Sequence, residues 1–273
     1  MERFIVKVID CTPDYYVEKK WLSNILGPLR DLEVIAIIRD QQGSFSIGCD
    51  EKYISIITST EKHDYVPPET EDVNCLGVFM NYAPIMGDSY QVDNFIKHPK
   101  IHHLPLGYHK DFIVTPQNKL PFISDRPTDI FFWGQFDPYR RQDFMIACNK
   151  IYGRPNTNLR MYNGWGKGWP HAEYCEALLN SKIALVPWGS ASLNTFRFWE
   201  AYYSGCVIIC NSQYKTWYSD KINFFTCKDD WSDLEYWIDH VMKNIHWIEL
   251  NNSTEKIFTE KDVAEYIERV ICQ

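Results

Sequence analysis

Residues 183–210 read IALVPWGSASLNTFRFWEAYYSGCVIIC, and this stretch decides the fold. It opens with an apolar run at 183–187 and passes through a small polar loop. A helical pattern follows over 195–204, and a second apolar run fills 206–210. Short runs that are apolar on both faces, separated by a helix, predict a parallel β-α-β unit covered on both sides. The loop and helix start carry Pro187, Gly189, Ser190, Ser192, Asn194 and Thr195. A strand that ends in such a loop and opens a helix presents free backbone N–H groups and a positive dipole end, which receive phosphate. Arg197, one turn in, adds a bidentate charge partner. Glu200 lies three residues on, on the same helix face, and suits two ribose hydroxyls. The layout is that of a nucleotide-sugar site.

Working outward, the same alternation continues in both directions. Strands are expected at 4–10, 32–40, 53–58, 76–80 and 101–104, with a helix at 17–29. The segment 110–128 is polar and holds Pro116, Pro121 and Pro127, so the chain is expected to divide there. The expected units are 1–115, a hinge at 116–128, and 129–273. The second unit alternates again: strand 129–133, loop 134–141, helix 141–152, strand 159–162, loop 163–170 and helix 171–180, before the opening stretch. A strand at 224–227 and terminal helices at 231–244 and 259–272 complete it. Two such sets predict an α/β protein with two Rossmann-like domains facing across a cleft, ligands lying beyond the carboxyl ends of the strands.

Composition narrows the function. The 273 residues are 45% hydrophobic, enough for a substantial core, and the net charge of −8 argues against a protein whose affinity rests on neutralising nucleic-acid phosphates. A clustering of Lys19, Lys20, Arg30 and Arg39 on one face would reverse that judgement. Nine Cys, an odd number with no C-x-x-C pair, read as buried reduced thiols and predict a reducing, cytoplasmic setting. The first ten residues hold an apolar run too short for a signal peptide or membrane span. Neither G-x-G-x-x-G nor a P-loop occurs, which removes the usual supports for dinucleotide redox chemistry and ATP hydrolysis.

The pattern P-x-G, [ST]-x-R-x-x-E-A and G-C-V is matched by Pro187, Gly189, Thr195, Arg197, Glu200, Ala201, Gly205, Cys206 and Val207. It resembles the C-terminal signature of exostosin-like (GT47-type) glycosyltransferases and, more broadly, the donor domain of GT-B enzymes. The family often has Pro after G-C-V, where this chain has Ile208, and its members usually carry a membrane anchor. The resemblance implies that 129–273 binds a nucleotide sugar, with a UDP-sugar the expected donor, and that 1–115 binds the acceptor. It implies no cofactor and no metal. The absence of H-E-x-x-H and of a strand-end D-x-D agrees, since Arg and a helix dipole replace a metal at the leaving phosphate.

The remaining candidates follow from position. Gly134 and Gln135 end the first strand of the second unit, and Arg140 and Arg141 open the next helix, within reach of a diphosphate. Tyr162, Asn163 and Trp165, in a Gly- and aromatic-rich loop, are expected beside the base. In the first unit, Asp14, Asp40 and His109 sit at strand ends or before the hinge and are candidate general bases for an acceptor hydroxyl; each also reads as a cap or turn residue. The expected activity is hexosyl or pentosyl transfer to a glycan hydroxyl, in a bacterial, phage or viral setting that includes a host cytoplasm. The alternatives are transfer to modified bases of DNA and a non-catalytic nucleotide- or glycan-binding relic.

Overall fold

A computed structural model describes residues 7–10, 17–31, 34–40, 50–58, 66–81, 98–114, 120–136, 141–164, 168–189, 194–211, 216–254 and 257–272. The described residues form two parallel sheets of five strands each, the α/β architecture expected.

The first sheet contains β1 (Lys7–Asp10), β2 (Ile35–Asp40), β3 (Tyr53–Thr58), β4 (Cys75–Met80) and β5 (Ile101–His103), in the spatial order 1-2-3-4-5. Alternate residues feed opposite faces: Ala36, Ile38, Ile54 and Ile56 point into the main core, and Ile35, Ile37, Tyr53 and Ile57 into a smaller one behind. Helix α1 (Lys19–Leu26) presents Trp21, Leu22, Ile25 and Leu26 to the main core. It was expected to run to residue 29. It stops at Leu26: Pro28 has no N–H to continue the helical hydrogen bonds, and a 3-10 turn, Gly27–Asp31, follows.

The second sheet contains β6 (Thr128–Phe136), β7 (Thr157–Asn163), β8 (Ser181–Val186), β9 (Val207–Cys210) and β10 (Phe225–Thr226), in the order 7-6-8-9-10. Helices α2 (Gln142–Ile151), α3 (His171–Leu179), α4 (Phe196–Tyr203) and α5 (Leu234–Lys243) cover it on both faces. Ile183, Leu185, Val207 and Ile209 meet α2 and α5, whereas Ala184, Val186, Ile208 and Cys210 share the main core with α3 and α4. Each such side chain, fully buried, contributes roughly 1.5–3 kcal/mol.

Two features differ from expectation. Residues 134–136, expected as loop, continue β6, because Gly134, Gln135 and Phe136 pair in register with Met161, Tyr162 and Asn163 of β7. Helix α6 (Ile245–Thr254) was not expected. Ile245 and Ile248 are buried while Trp247 and Leu250 are exposed, so its apolar residues do not line one face. The last helix, α7 (Glu260–Ile271), opens with a capping box between Thr259 and Asp262. Read with the second unit in the sequence, it crosses back to pack on α1 and β4. The main core therefore runs unbroken from Trp21 and Phe79 through Phe131 and Trp199 to Val263.

None of the seven described cysteines forms a disulfide, and six are buried. No helix among the described residues is long and apolar enough to cross a membrane.

Candidate functional site

Sheet order locates the site. Going outward from the centre of the second sheet, β6 leads to β7 on one side while β8, β9 and β10 extend on the other. The strand order thus reverses between β6 and β8, and the crevice at their carboxyl ends is the switch point at which doubly wound sheets take ligands.

Arg197 stands in that crevice. It lies on the first turn of α4, its Nε donates to the Trp133 carbonyl at 3.3 Å, and its guanidinium centre lies 5.0 Å from the Phe132 ring centroid. Its two Nη groups have no carboxylate partner among the described residues, although the side chain is half-buried. Gly134 makes this approach possible: a Cβ there would stand 2.4 Å from Arg197 Nη2 and 2.8 Å from Phe132. Arg141 braces the crevice from the other side. Its Nη1 donates to the Gln135 carbonyl at 2.9 Å, and its Nε and Nη2 to the Trp188 carbonyl at 3.2 and 2.8 Å. It thereby ties the end of β6 to the residue two beyond β8. Gly189 follows directly. Thr195 caps α4, its hydroxyl accepting the Phe198 amide at 3.3 Å. The first N–H groups of the helix have no acceptor within it, and they share the crevice with Arg197.

Asn194 and Glu200, expected at the donor, face the other sheet. Asn194 is fully buried. Its Oδ1 accepts the Leu106 amide at 2.8 Å and the Trp199 indole N–H at 2.6 Å, and its Nδ2 donates to the Leu104 carbonyl at 3.2 Å. It fastens the segment after β5 to the start of α4, which turns the carboxyl edges of the two sheets toward each other. Glu200, 3% exposed, accepts the His109 amide at 3.2 Å and lies 3.7 Å from His171 Nε2. His109 and His171 stack with ring centroids 4.2 Å apart. Burial, and next the Glu200 carboxylate, hold the nearby Tyr174 hydroxyl well above its usual range, with Arg197 opposing. The chain thus gathers Glu200, His109, His171 and Tyr174 at the junction, beside Arg197.

His109 itself is held below its ordinary value by burial and by His171. Its Nδ1 is engaged by Asp111, 3.2 Å from the amide and 3.4 Å from the carboxylate. His171 was missed in the sequence because it reads as the first residue of an ordinary helix.

At the carboxyl end of β7, Asn163 is exposed and Tyr162 packs edge-on against Trp169, centroids 5.3 Å apart. Trp169 lies 5.0 Å from Trp133, whose outer face carries the Arg160 guanidinium at 4.2 Å. This aromatic group adjoins the crevice, and Arg160 was not anticipated. Asp14, Arg140, Trp165 and Ser190 lie outside the described residues, as does the side chain of Asp40.

Glu18 is the other group that sequence reading missed. It is 3% exposed at the carboxyl edge of the first sheet, lining a cavity of about 10 Å³ with Asn81 and Leu106. Oε1 accepts from Asn81 at 3.2 Å and Oε2 has no partner. Burial pushes its carboxyl up from 4.5 to about 7. Of the four cations whose clustering would have favoured nucleic acid, Arg39 is buried against Glu69, at 2.5 and 2.7 Å, and the side chain of Arg30 lies outside the described residues.

No protein-family model matches the chain, and no curated protein matches it in sequence. Among solved structures, it is similar to one titled as an alpha1,3-fucosyltransferase, at 12% identity and a TM-score of 0.48, over 99% of this chain and 90% of that one. It is also similar to a chain of the GtfA/B complex, at 13% identity and a TM-score of 0.37, over 95% of this chain and 58% of that one. Identities and scores this low leave function to be read from the crevice itself.

Proposed function

We propose that this protein is a glycosyltransferase that moves a sugar from a nucleotide sugar, with UDP the expected nucleotide, to a hydroxyl of a glycan. The observation that carries the reading is Arg197: a half-buried guanidinium with open Nη groups, at the switch point of the second sheet and the start of a capped helix. A cation so placed stabilises a departing diphosphate in a site from which water is partly excluded. The exostosin-like pattern at 187–207 supports the same assignment.

In this reading the diphosphate lies across Arg197 and the N-terminus of α4, with Gly134 and Gly189 allowing backbone approach. Tyr162 and Trp169 flank the base. Arg141 acts as a positioning residue, since its donors are directed at Gln135 and Trp188. Asn194 joins the lobes rather than touching donor. The acceptor enters over the first sheet, its units being 1–115 with α7 added. The acceptor hydroxyl attacks the anomeric carbon, the bond to the diphosphate oxygen breaks, and the diphosphate departs with the electron pair. We assign the proton to His171, backed by the Glu200 carboxylate, in preference to His109, whose Nδ1 is occupied by the Asp111 amide. No metal is required, because Arg197 and the helix dipole carry the leaving charge.

The test is turnover of UDP-, GDP-, CMP- and dTDP-sugars, with and without oligosaccharide acceptors. One nucleotide family is expected to be consumed, with activity lost in Arg197→Ala. A chain that binds a nucleotide sugar but neither hydrolyses nor transfers it is the non-catalytic relic and contradicts the proposal.

A further inference from the structure

A second cavity, of about 400 Å³, lies at the opposite, amino edge of the second sheet. Arg126, just before β6, reaches into it from the side of the core and is only 2% exposed. Its Nη1 donates to the Ser181 carbonyl at 2.8 Å and touches Cys206 Sγ at 3.6 Å. Its Nε is buried with no partner, and no bond engages Nη2 among the described residues. Nη2 is therefore the donor left over for the cavity.

Nothing described neutralises this charge. Burial pushes the Cys206 thiol up to about 11, with Arg126 opposing, so it stays a neutral thiol. Glu249 also lines the cavity, but its carboxylate accepts the Ile123 amide and, at 2.9 Å, the Ser124 hydroxyl. It forms no ion pair with Arg126. An ion of this size withdrawn from water without a counterion is costly, and such groups are ordinarily paired. A guanidinium with a donor left over suits a carboxylate or phosphate oxygen, through a charge-assisted hydrogen bond.

The space in front of it is kept open by the chain. Gly205 ends α4 in a Schellman motif, its amide bonding the Tyr202 carbonyl at 2.9 Å and the Cys206 amide the Ala201 carbonyl at 3.0 Å. Its φ is +66°, and a Cβ there would stand 3.2 Å from Arg126 Nη2 and 3.1 Å from Leu120. Lys221 and His246, both exposed, also line the cavity, and Lys221 adds a positive charge there. Phe122 and Leu250 also line it, 69% and 64% exposed, so its opening is apolar.

We propose that this cavity is a second ligand site, distinct from the crevice at Arg197. It takes a small organic anion: a carboxylate or phosphate oxygen on Nη2 of Arg126, with an apolar body against Leu120, Phe122 and Ile257. The volume falls within the range that small-molecule sites occupy, roughly 300–1,000 Å³.

Calorimetric titration of the full chain tests this with four probes: phenyl phosphate, phenylacetate, inorganic phosphate and benzyl alcohol. At least one aromatic anion is expected to bind saturably, one per chain. Inorganic phosphate, which lacks the apolar body, and benzyl alcohol, which lacks the charge, are expected to bind at least tenfold more weakly. The tighter of the two aromatic anions identifies the headgroup. Arg126→Met is expected to weaken it at least tenfold, and Arg197→Ala to leave it unchanged. His246→Glu alters an exposed residue and keeps the test valid where Arg126→Met does not fold; it is expected to weaken binding at least threefold. Saturable binding of neither aromatic anion overturns the proposal. Equal binding of benzyl alcohol, or full affinity retained in His246→Glu, does so too.

Discussion

The two sheets have the same number of strands and the same parallel sense, yet they use their interiors differently. The first is wound in one direction, 1-2-3-4-5, and has no switch point. Its buried charge is closed on itself, Arg39 with Glu69 and the Ser55 hydroxyl at 3.1 Å. The second reverses direction between β6 and β8, and the half-buried guanidinium at that reversal, Arg197, forms no ion pair among the described residues. Strand order, more than composition, separates a sheet that satisfies its own charges from one that leaves a charge for a ligand.

The sharpest way to break the comparison is to open the closed pair. Glu69→Ala leaves Arg39 buried without its carboxylate, and denaturant unfolding is expected to show a loss of about 3–5 kcal/mol. Any retained turnover per folded molecule should be unchanged. A small loss would mean that the first sheet does not depend on internal pairing. The matching change in the second sheet reverses the pattern. Arg197→Ala is expected to lower kcat/KM by about 10²–10³-fold, with little change in Tm, because no ion pair is lost. Arg197→Lys should not restore it, since a point charge does not reproduce the planar fork.

Glu18 adds a pH dimension to the first sheet. Its carboxyl is raised from 4.5 to about 7, so the folded chain holds a proton that the unfolded chain releases. The stability this confers is complete below pH 4.5 and is lost as pH rises to about 7. The change is on the order of 3 kcal/mol. Glu18→Gln should flatten that part of the stability profile, which urea melts at pH 5 and pH 8 would show. An identical slope in the variant would place the titration elsewhere. The smallest expected effect concerns Gly134→Ala. The added methyl must displace Arg197, at roughly 1–3 kcal/mol for overpacking, and affinity for a nucleoside diphosphate should fall with it while Glu69→Ala leaves that affinity intact.

The alternation of apolar runs and helices made both sheets legible, because strands covered on both faces have no polar positions to blur them. The junction between β8 and α4 was legible for a related reason: Pro, Gly and a capping Thr after an apolar run mark the end of a strand and the start of a helix. What was not legible depends on contacts distant in sequence. Gly134 read as a loop glycine, whereas it lies under a side chain 63 positions later. Asn194 and Glu200 read as donor ligands from their place just before and on α4, but they bond the Leu106 and His109 amides of the other lobe. Arg39 read as the close of a strand, and only the fold brings Glu69 to it. Glu18 carried no signal beyond apolar neighbours, and α6 lacks the periodicity that announces a helix.

The most direct test of the central claim is calorimetric titration of UDP into the full chain and into Arg197→Ala at moderate ionic strength, with GDP, CMP and dTDP in parallel. The account predicts saturable one-to-one binding of one nucleotide family, UDP foremost, weakened at least tenfold by the substitution while the Tm of the free protein holds. Nucleotide binding of equal strength in the variant would show that the crevice between β6 and β8 is not where the diphosphate lies.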